Sequence, residues 1–426
     1  MKKQNRSHRT KNVHGHAHTR AWEFSHHIVP PITASTTFRL DSLKRGAHGF
    51  QLFANNDALR KALDSNEPIW IYDRLEEPSS KMLEEQLADM ESGEVAVSFS
   101  SGMGAISGAL LSILKSGDQI LAHHTLYGCT YSLITSWLPR FNIGHRLSCI
   151  NTLSAADLKD QSIKVIYFES VSNPNLEIID IDQVVKLVNA ENKSRRAENK
   201  IKIIVDNTFA TPWALRPLEY GVDMVIQSLT KNIGGFGTEM GGAIVTYRKY
   251  LSNLLLIRKD IGANMHPHSA WNIMVYGVSS QVIRFEAQQK NAVKIAKFLE
   301  SHKKVERVIY PGLKSFPQLS LAKKLLRSPD GEFSPGVMLS FILKGENSKT
   351  EKFINHIAKN SYSITLAVSL GLTKTLIEVP GLMTHAAIPK EKQEESGIPA
   401  KLIRMSIGIE QAEDLMSDLS EALDIL

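Results

Sequence analysis

The sequence predicts an α/β fold: a mostly parallel sheet between helices, preceded by an N-terminal arm and followed by a smaller C-terminal α/β domain. Near-continuous apolar runs of strand length (E-V-A-V-S-F, K-V-I-Y-F-E, I-K-I-I-V-D, D-M-V-I-Q-S) alternate with stretches of helical spacing between residues 79 and 228. That is the pattern of strands buried on both faces by crossover helices. Residues 1–75 lack such periodicity, and Pro30-Pro31 breaks any early element. Past Gly242 the helical segments lengthen and the strands become punctuated by Pro and Gly. At 426 residues the chain exceeds the roughly 250–300 residues at which a single core stops growing. We therefore expect an arm over 1–76, a first domain over 77–282 and a second over 283–426.

The elements follow in order. S-S-K-M-L-E-E-Q-L-A-D-M (79–90) has apolar residues at helical spacing, with Ser79 or Ser80 placed to cap. E-V-A-V-S-F reads as a strand, S-S-G-M-G (100–104) as a tight turn and A-I-S-G-A-L-L-S-I-L (105–114) as a buried helix. Q-I-L-A precedes a helix near 131–138, K-V-I-Y-F-E (164–169) precedes a helix over about 181–193, and two further strands lie at 201–206 and 223–228. The charged stretch 191–200 reads as a solvated connection inside the domain. A long helical pattern over about 268–300 leads to strands at 336–343 and 402–408.

Composition narrows the function. The formal charge of +6 is concentrated in Lys2, Lys3, Arg6, Arg9, Lys11 and Arg20, and no basic stripe or aromatic stacking platform follows, which argues against nucleic-acid binding. His8, His14, His16 and His18 have no Cys or carboxylate beside them, so a mobile polar terminus is the simpler account and no metal is expected. Two cysteines, Cys129 and Cys149, exclude a disulfide framework. No run approaches the roughly 18 apolar residues of a membrane span, and no apolar region follows the basic start, so a soluble cytoplasmic protein is expected.

In parallel α/β sheets ligands collect at the carboxyl ends of strands. I-I-V-D-N-T (203–208) ends a buried strand on Asp206, whose carboxylate needs a cation or a helix N-terminus as partner. A protonated pyridine nitrogen is such a cation. S-L-T-K (228–231) places Lys231 in the next strand-end loop, where desolvation suits an amine to Schiff-base and general-base work. Gly102, flanked by Ser101 and Met103, opens a helix whose free N–H groups favour a phosphate, and Ser228 and Thr230 could add hydroxyls. Tyr127 in T-L-Y-G-C-T follows a strand, as either a ring that stacks on a flat cofactor or an ordinary core tyrosine.

Taken together these residues resemble the Cys/Met-metabolism pyridoxal-phosphate enzymes. The resemblance runs from about His14 to Leu426 and rests on V-P-P-I-T-A-S-T-T-F (29–38), Y-D-R (72–74), S-G-M-G-A-I, T-L-Y-G-C-T, Y-F-E-S-V-S-N-P (167–174), V-D-N-T-F-A-T-P, S-L-T-K-N-I-G-G and L-I-E-V-P-G-L-M-T-H (376–385) in that order. It implies the type I fold of pyridoxal-phosphate enzymes, with 77–282 binding the cofactor pyridoxal 5'-phosphate. Lys231 is then the lysine that carries the cofactor and shuttles protons, Asp206 the pyridinium partner, and Tyr127 the stacking ring that also assists proton transfer. Gly102, Met103, Ser228 and Thr230 hold the phosphate, joined by Tyr72 and Arg74 from a neighbouring subunit. Asn173 lies near the cofactor oxygen and the substrate carboxylate, Arg404 grips that carboxylate, and Ser369 is its neighbour. A homo-oligomer, a dimer of dimers, is implied as well.

The resemblance further implies a carbon–sulfur lyase acting on a small sulfur amino acid, with γ-replacement by a cystathionine synthase or O-acylhomoserine sulfhydrylase as the alternative. Val368 stands where relatives handling cystathionine or cysteine carry a glutamate, and Cys129 is similar to methionine gamma-lyase. Both favour elimination. Phe236-Gly237-Thr238 departs from the common His-Ser-Asp and is more similar to the sulfhydrylases, and V-P-G-L-M-T-H (379–385) departs from His-Pro-Ala-Ser-Met-Thr-His.

Overall fold

The computed structural model describes residues 6–14, 27–53, 69–386 and 388–426. Its larger sheet has seven strands: β1 (Val95–Phe99), β2 (Gln119–His123), β3 (Gly144–Ser148), β4 (Ile163–Glu169), β5 (Lys202–Asp206), β6 (Met224–Ser228) and β7 (Gly242–Thr246), in the order β1-β7-β6-β5-β4-β2-β3. β7 alone runs against its neighbours β1 and β6. The remaining pairings are parallel.

The apolar runs are continuous because both faces are covered. Ile166, Phe168, Ile203 and Val205 belong to one core, and the alternating Val165, Tyr167 and Ile204 to another on the opposite face. Parallel strands buried in this way leave only their carboxyl ends free for polar side chains.

Three local expectations are corrected. The helix Pro78–Met90 is capped by Glu77, whose carboxylate accepts the Ser79 N–H at 2.6 Å and the Ser80 N–H, so neither serine is the cap. Pro78 is the reason: proline favours the first helical position and so starts the helix before the serines. The 191–200 connection is not simply solvated. The Arg195 side chain is fully buried and donates to the carbonyls of Ile163, Asp160 and Leu158, its several donors tying the turn before β4 to the start of that strand. His8 and His14 are not in an irregular terminus but in the helix His8–His14, which docks on its own chain through Arg9–Glu286 at 2.6 Å and Gln86 Nε2 donating to the Asn12 carbonyl at 2.6 Å. His16 and His18 lie outside the described residues.

The long helix Ser279–Ser301 leads to a second, five-stranded sheet: β8 (Val305–Ile309), β9 (Met338–Leu343), β10 (Ile364–Leu366), β11 (Thr375–Glu378) and β12 (Leu402–Ser406), in the order β10-β11-β12-β9-β8. Leu339, Phe341, Ile377, Ile403 and Met405 bury one face against Phe353 and the helix Ala412–Asp424. Ser396 ties this part to the strand ends of the larger sheet. Its carbonyl accepts from Thr125 Oγ1 at 3.1 Å and Asn175 Nδ2 at 2.6 Å, and its hydroxyl donates to the His124 carbonyl at 3.2 Å. Among the described residues no helix is long and apolar enough to cross a membrane.

Candidate active site

A cavity of about 380 Å³ opens where the carboxyl ends of β4, β5 and β6 meet the start of the helix Gly102–Leu111 and residues of the smaller sheet. Of the residues singled out in the sequence, Lys231, Asp206, Tyr127, Gly102, Met103, Ser228, Thr230, Asn173, Ser369 and Arg404 all line it. Tyr72 and Arg74 do not. Arg74 donates to the Lys259 carbonyl at 2.9 Å and lies over the ring of Tyr72, which is 40% exposed. Within one chain these two residues stand at the surface.

Lys231 sits in the turn after β6, its Nζ 2.8 Å from Ser369 Oγ. Burial, reinforced by the positive charge of Arg404, pulls its pKa from 10.5 down to about 8. The loop after it is held by Arg284, which donates to the carbonyls of Asn232 and Ile233 at 3.0 Å and of Gly277 at 2.8 Å. Gly235 makes that possible. It adopts φ +75°, and a Cβ there would lie 1.8 Å from Arg284 Nη1.

Asp206 ends β5, accepts the Thr208 N–H at 3.0 Å, and is pushed toward its neutral form by burial. Glu169 ends β4 directly beside it in register. Burial and the neighbouring Asp206 charge raise Glu169 to about 8, while its oxygens accept the Tyr127 N–H at 2.6 Å and the Asn173 N–H at 2.9 Å. Tyr127 also receives Cys129 Sγ at its hydroxyl, 3.4 Å away, and burial raises its pKa. Glu169 was missed in the sequence although it terminates a buried strand as Asp206 does.

At the other end of the cavity Ser101 caps the Gly102–Leu111 helix by accepting the Gly104 N–H at 3.0 Å. Gly102 and Met103 therefore hold first-turn donors that the helix itself cannot satisfy. A Cβ on Gly102 would approach the Ser228 side chain to 2.9 Å, so only glycine leaves Ser228 and the helix end this close.

Arg404 on β12 is 3% exposed. It donates to Asn173 Oδ1 and to the Ser369 carbonyl, each at 2.9 Å, and pairs with Glu378 at 2.8 Å. Glu378 had no place in the sequence reading. His385, buried nearby with Nε2 3.2 Å from the Asn173 carbonyl, is pushed down to about 4 and stays neutral.

This donor set fits pyridoxal 5'-phosphate. A half-buried carboxylate short of a cation, a desolvated amine and a helix start with free N–H groups share one cavity, as the pyridinium, the aldehyde carbon and the phosphate of that group require. A different cluster, His123, His124 and Glu177, has ligand atoms within 4.8 Å of one another. The Ile150 N–H, however, donates to His123 Nδ1 at 3.2 Å. That occupies His123 Nδ1, and its Nε2 lies 3.3 Å from Glu177, an imidazole–carboxylate contact.

Residues 9–424 match the family model described as Cys/Met metabolism PLP-dependent enzyme. The chain is 38% identical over 402 residues to an L-methionine gamma-lyase of Fusobacterium nucleatum subsp. polymorphum, covering 93% of each protein. It is 39% identical over 357 residues to a cystathionine beta-lyase of Lactococcus lactis subsp. cremoris, covering 83% of this chain and 88% of the relative. Among solved structures, cystathionine gamma synthase from Xanthomonas oryzae pv. oryzae in complex with aminoacrylate and cysteine superposes with a TM-score of 0.84 at 30% identity, over 98% of both chains. A putative O-acetylhomoserine (thiol)-lyase from Campylobacter jejuni carrying N'-pyridoxyl-lysine-5'-monophosphate gives 0.86 at 30% identity, over 98% of this chain and 100% of that one.

Proposed function

Because this chain belongs to the Cys/Met metabolism PLP-dependent enzyme family, we propose that it cleaves the carbon–sulfur bond of an apolar sulfur amino acid, with a methionine-like thioether as the preferred substrate. It is a pyridoxal-phosphate enzyme of sulfur amino acids; the choice of reaction and the role of each residue are our reading. The observation that carries it is a desolvated lysine that shares one cavity with the half-buried Asp206 carboxylate and a buried arginine.

Bound at Lys231, the cofactor supplies the electron sink that acidifies the Cα–H of an amino acid. Asp206 keeps the ring nitrogen protonated, and Gly102, Met103, Ser228 and Thr230 hold the phosphate. Tyr127 stacks on the ring. Arg404, oriented by Asn173 and Ser369, takes the α-carboxylate and so fixes which Cα bond lies beside Lys231. Lys231, with a pKa near working pH, then removes the Cα proton and returns protons to later atoms. For methionine the balanced outcome is methanethiol, 2-oxobutanoate and ammonia, with one water consumed.

Val368 supports the apolar side chain: it lines the cavity, 53% exposed, and itself offers the substrate an apolar surface. Replacement of a γ-substituent by a thiol is the second reading, favoured by the resemblance of Gly237-Thr238 to the sulfhydrylases and by the likeness to a cystathionine gamma synthase and a putative O-acetylhomoserine (thiol)-lyase.

We further propose a cytoplasmic homo-oligomer, a dimer of dimers, in which 77–282 carries the cofactor, 283–426 closes over it and part of 1–76 reaches a neighbour. The surface position of Tyr72 and Arg74 supports it, since a second copy would bring them to a phosphate. The test is incubation of cofactor-loaded protein with methionine, with cystathionine, and with O-acetylhomoserine plus sulfide. Keto acid and ammonia from a thioether support elimination; homocysteine formed only from the acylated substrate moves the protein to replacement.

A further inference from the structure

Arg404 has three protein partners before a substrate reaches it, all of them at Nη1 and Nη2, while its buried Nε has no hydrogen-bond partner. Nη1 donates to Asn173 Oδ1 and Nη2 to the Ser369 carbonyl, each at 2.9 Å, and Nη2 also forms an ion pair with Glu378 Oε1 at 2.8 Å. A guanidinium has two N–H donors on each Nη and one on Nε. Either edge that grips a carboxylate in a fork uses an Nη2 hydrogen, and Nη2 is the nitrogen that already meets both the Ser369 carbonyl and the Glu378 carboxylate. An incoming α-carboxylate that uses either fork therefore competes at Nη2 with one of these two.

Of the two, the Ser369 carbonyl is main chain, whereas Glu378 is a side chain directly opposite Arg404 across β11 and β12. Glu378 is 1% exposed; Thr384 Oγ1 donates to its Oε1 at 2.8 Å, and its Oε2 has no hydrogen-bond partner. A buried carboxylate with one bare oxygen is poised to change partners.

We propose that Glu378 is the internal carboxylate that Arg404 exchanges for the α-carboxylate of the substrate, and that the exchange leaves Glu378 protonated, so that substrate binding takes up a proton. The proposal rests on the reading of Arg404 given above and makes Glu378 a positioning residue that selects for a carboxylate. Once the substrate shares Arg404, two carboxylates would compete for one buried cation, and the one that can neutralise itself without leaving the site is Glu378. Its burial already favours the neutral form. An amine without a carboxylate gains nothing by displacing it.

The other groups around Glu378 are Lys231 from the turn after β6, His385 next to Thr384, and Tyr127, while Glu169 acts on the same Arg404. Glu169 is the second carboxylate able to take a proton there, so the decisive variant is Glu378→Gln. It retains the shape and the Thr384 contact but cannot titrate.

The experiment is calorimetric titration of the cofactor-loaded enzyme with L-norleucine, which has no leaving group, and with n-pentylamine, the same skeleton without the carboxylate. Buffers of different ionisation heat give the protons taken up. Norleucine should take up about one proton more than pentylamine near pH 8, and its Kd should rise up to about tenfold per pH unit as Glu378 ionises in the free enzyme. In Glu378→Gln the extra proton and the pH slope should vanish. An extra proton that persists in the variant overturns the proposal while leaving Arg404 as the carboxylate site. Equal affinity of wild type for both ligands overturns the Arg404 reading, and this proposal with it. Should the variant not fold, the wild-type comparison decides alone, because norleucine binding without an extra proton refutes the exchange.

Discussion

Lys231→Met in the cofactor-free protein should raise stability at neutral pH, and the size of the effect follows from the site. The amine's pKa falls from 10.5 to about 8, chiefly through burial and then through Arg404. At about 1.4 kcal/mol for each tenfold change in proton affinity, holding the ammonium in the folded site costs roughly 3 kcal/mol. Methionine has similar length and no charge, but gives up the bond from Nζ to Ser369 Oγ, worth about 1 kcal/mol. A net gain of about 2 kcal/mol remains, or about 2 °C in Tm for 426 residues at roughly 2.1 cal/mol/K per residue. Because the folded pKa lies below the unfolded one, the penalty is complete below about 8, shrinks as the pH rises between the two values, and is gone above 10.5. Differential scanning fluorimetry of both apoproteins at neutral pH and above 10.5 reads this directly. A variant less stable than wild type at pH 7, or an advantage that does not fall with pH, would refute the account of Lys231 as a desolvated amine.

Three further outcomes are expected. Asp206→Asn should bind the cofactor but turn over substrate roughly 10²–10³-fold more slowly, since the ring nitrogen loses its charged partner, and single-turnover rates check this. Arg74→Ala should weaken cofactor retention roughly tenfold in dialysis with unchanged elution in gel filtration, as the proposed role of Arg74 at the phosphate of a neighbouring site requires. Val368→Glu should raise the ratio of cystathionine to methionine turnover roughly tenfold, a distal carboxylate now meeting the second ammonium group; competition assays with both substrates measure it.

The layered sheet was legible because burial on both faces leaves an unmistakable apolar run, and Asp206 and Lys231 were legible because they end such runs. Glu169 ends one too, and the same rule applied to K-V-I-Y-F-E would have found it. Arg404, Asn173 and Ser369 came only through family resemblance: 231 residues separate Arg404 from Asn173, and no local pattern encodes their 2.9 Å contact. Glu378 was invisible for a related reason. T-L-I-E looks like any short strand until antiparallel pairing sets its last residue against Arg404. The antiparallel course of β7 was likewise hidden, since G-A-I-V-T has the composition of its parallel neighbours. Buried Arg195 shows the converse error, in which a run of charges conceals one that is interior.

The lock between Gly235 and Arg284 bears on how this loop can drift over generations. Any side chain at 235 would occupy the space of the guanidinium, and a smaller residue at 284 would strand three carbonyls of the lysine loop and the neighbouring helix. Neither position can be altered first without passing through a damaged protein, so the two should be inherited as a pair. A descendant that has lost one will have rebuilt the path of the chain around Lys231.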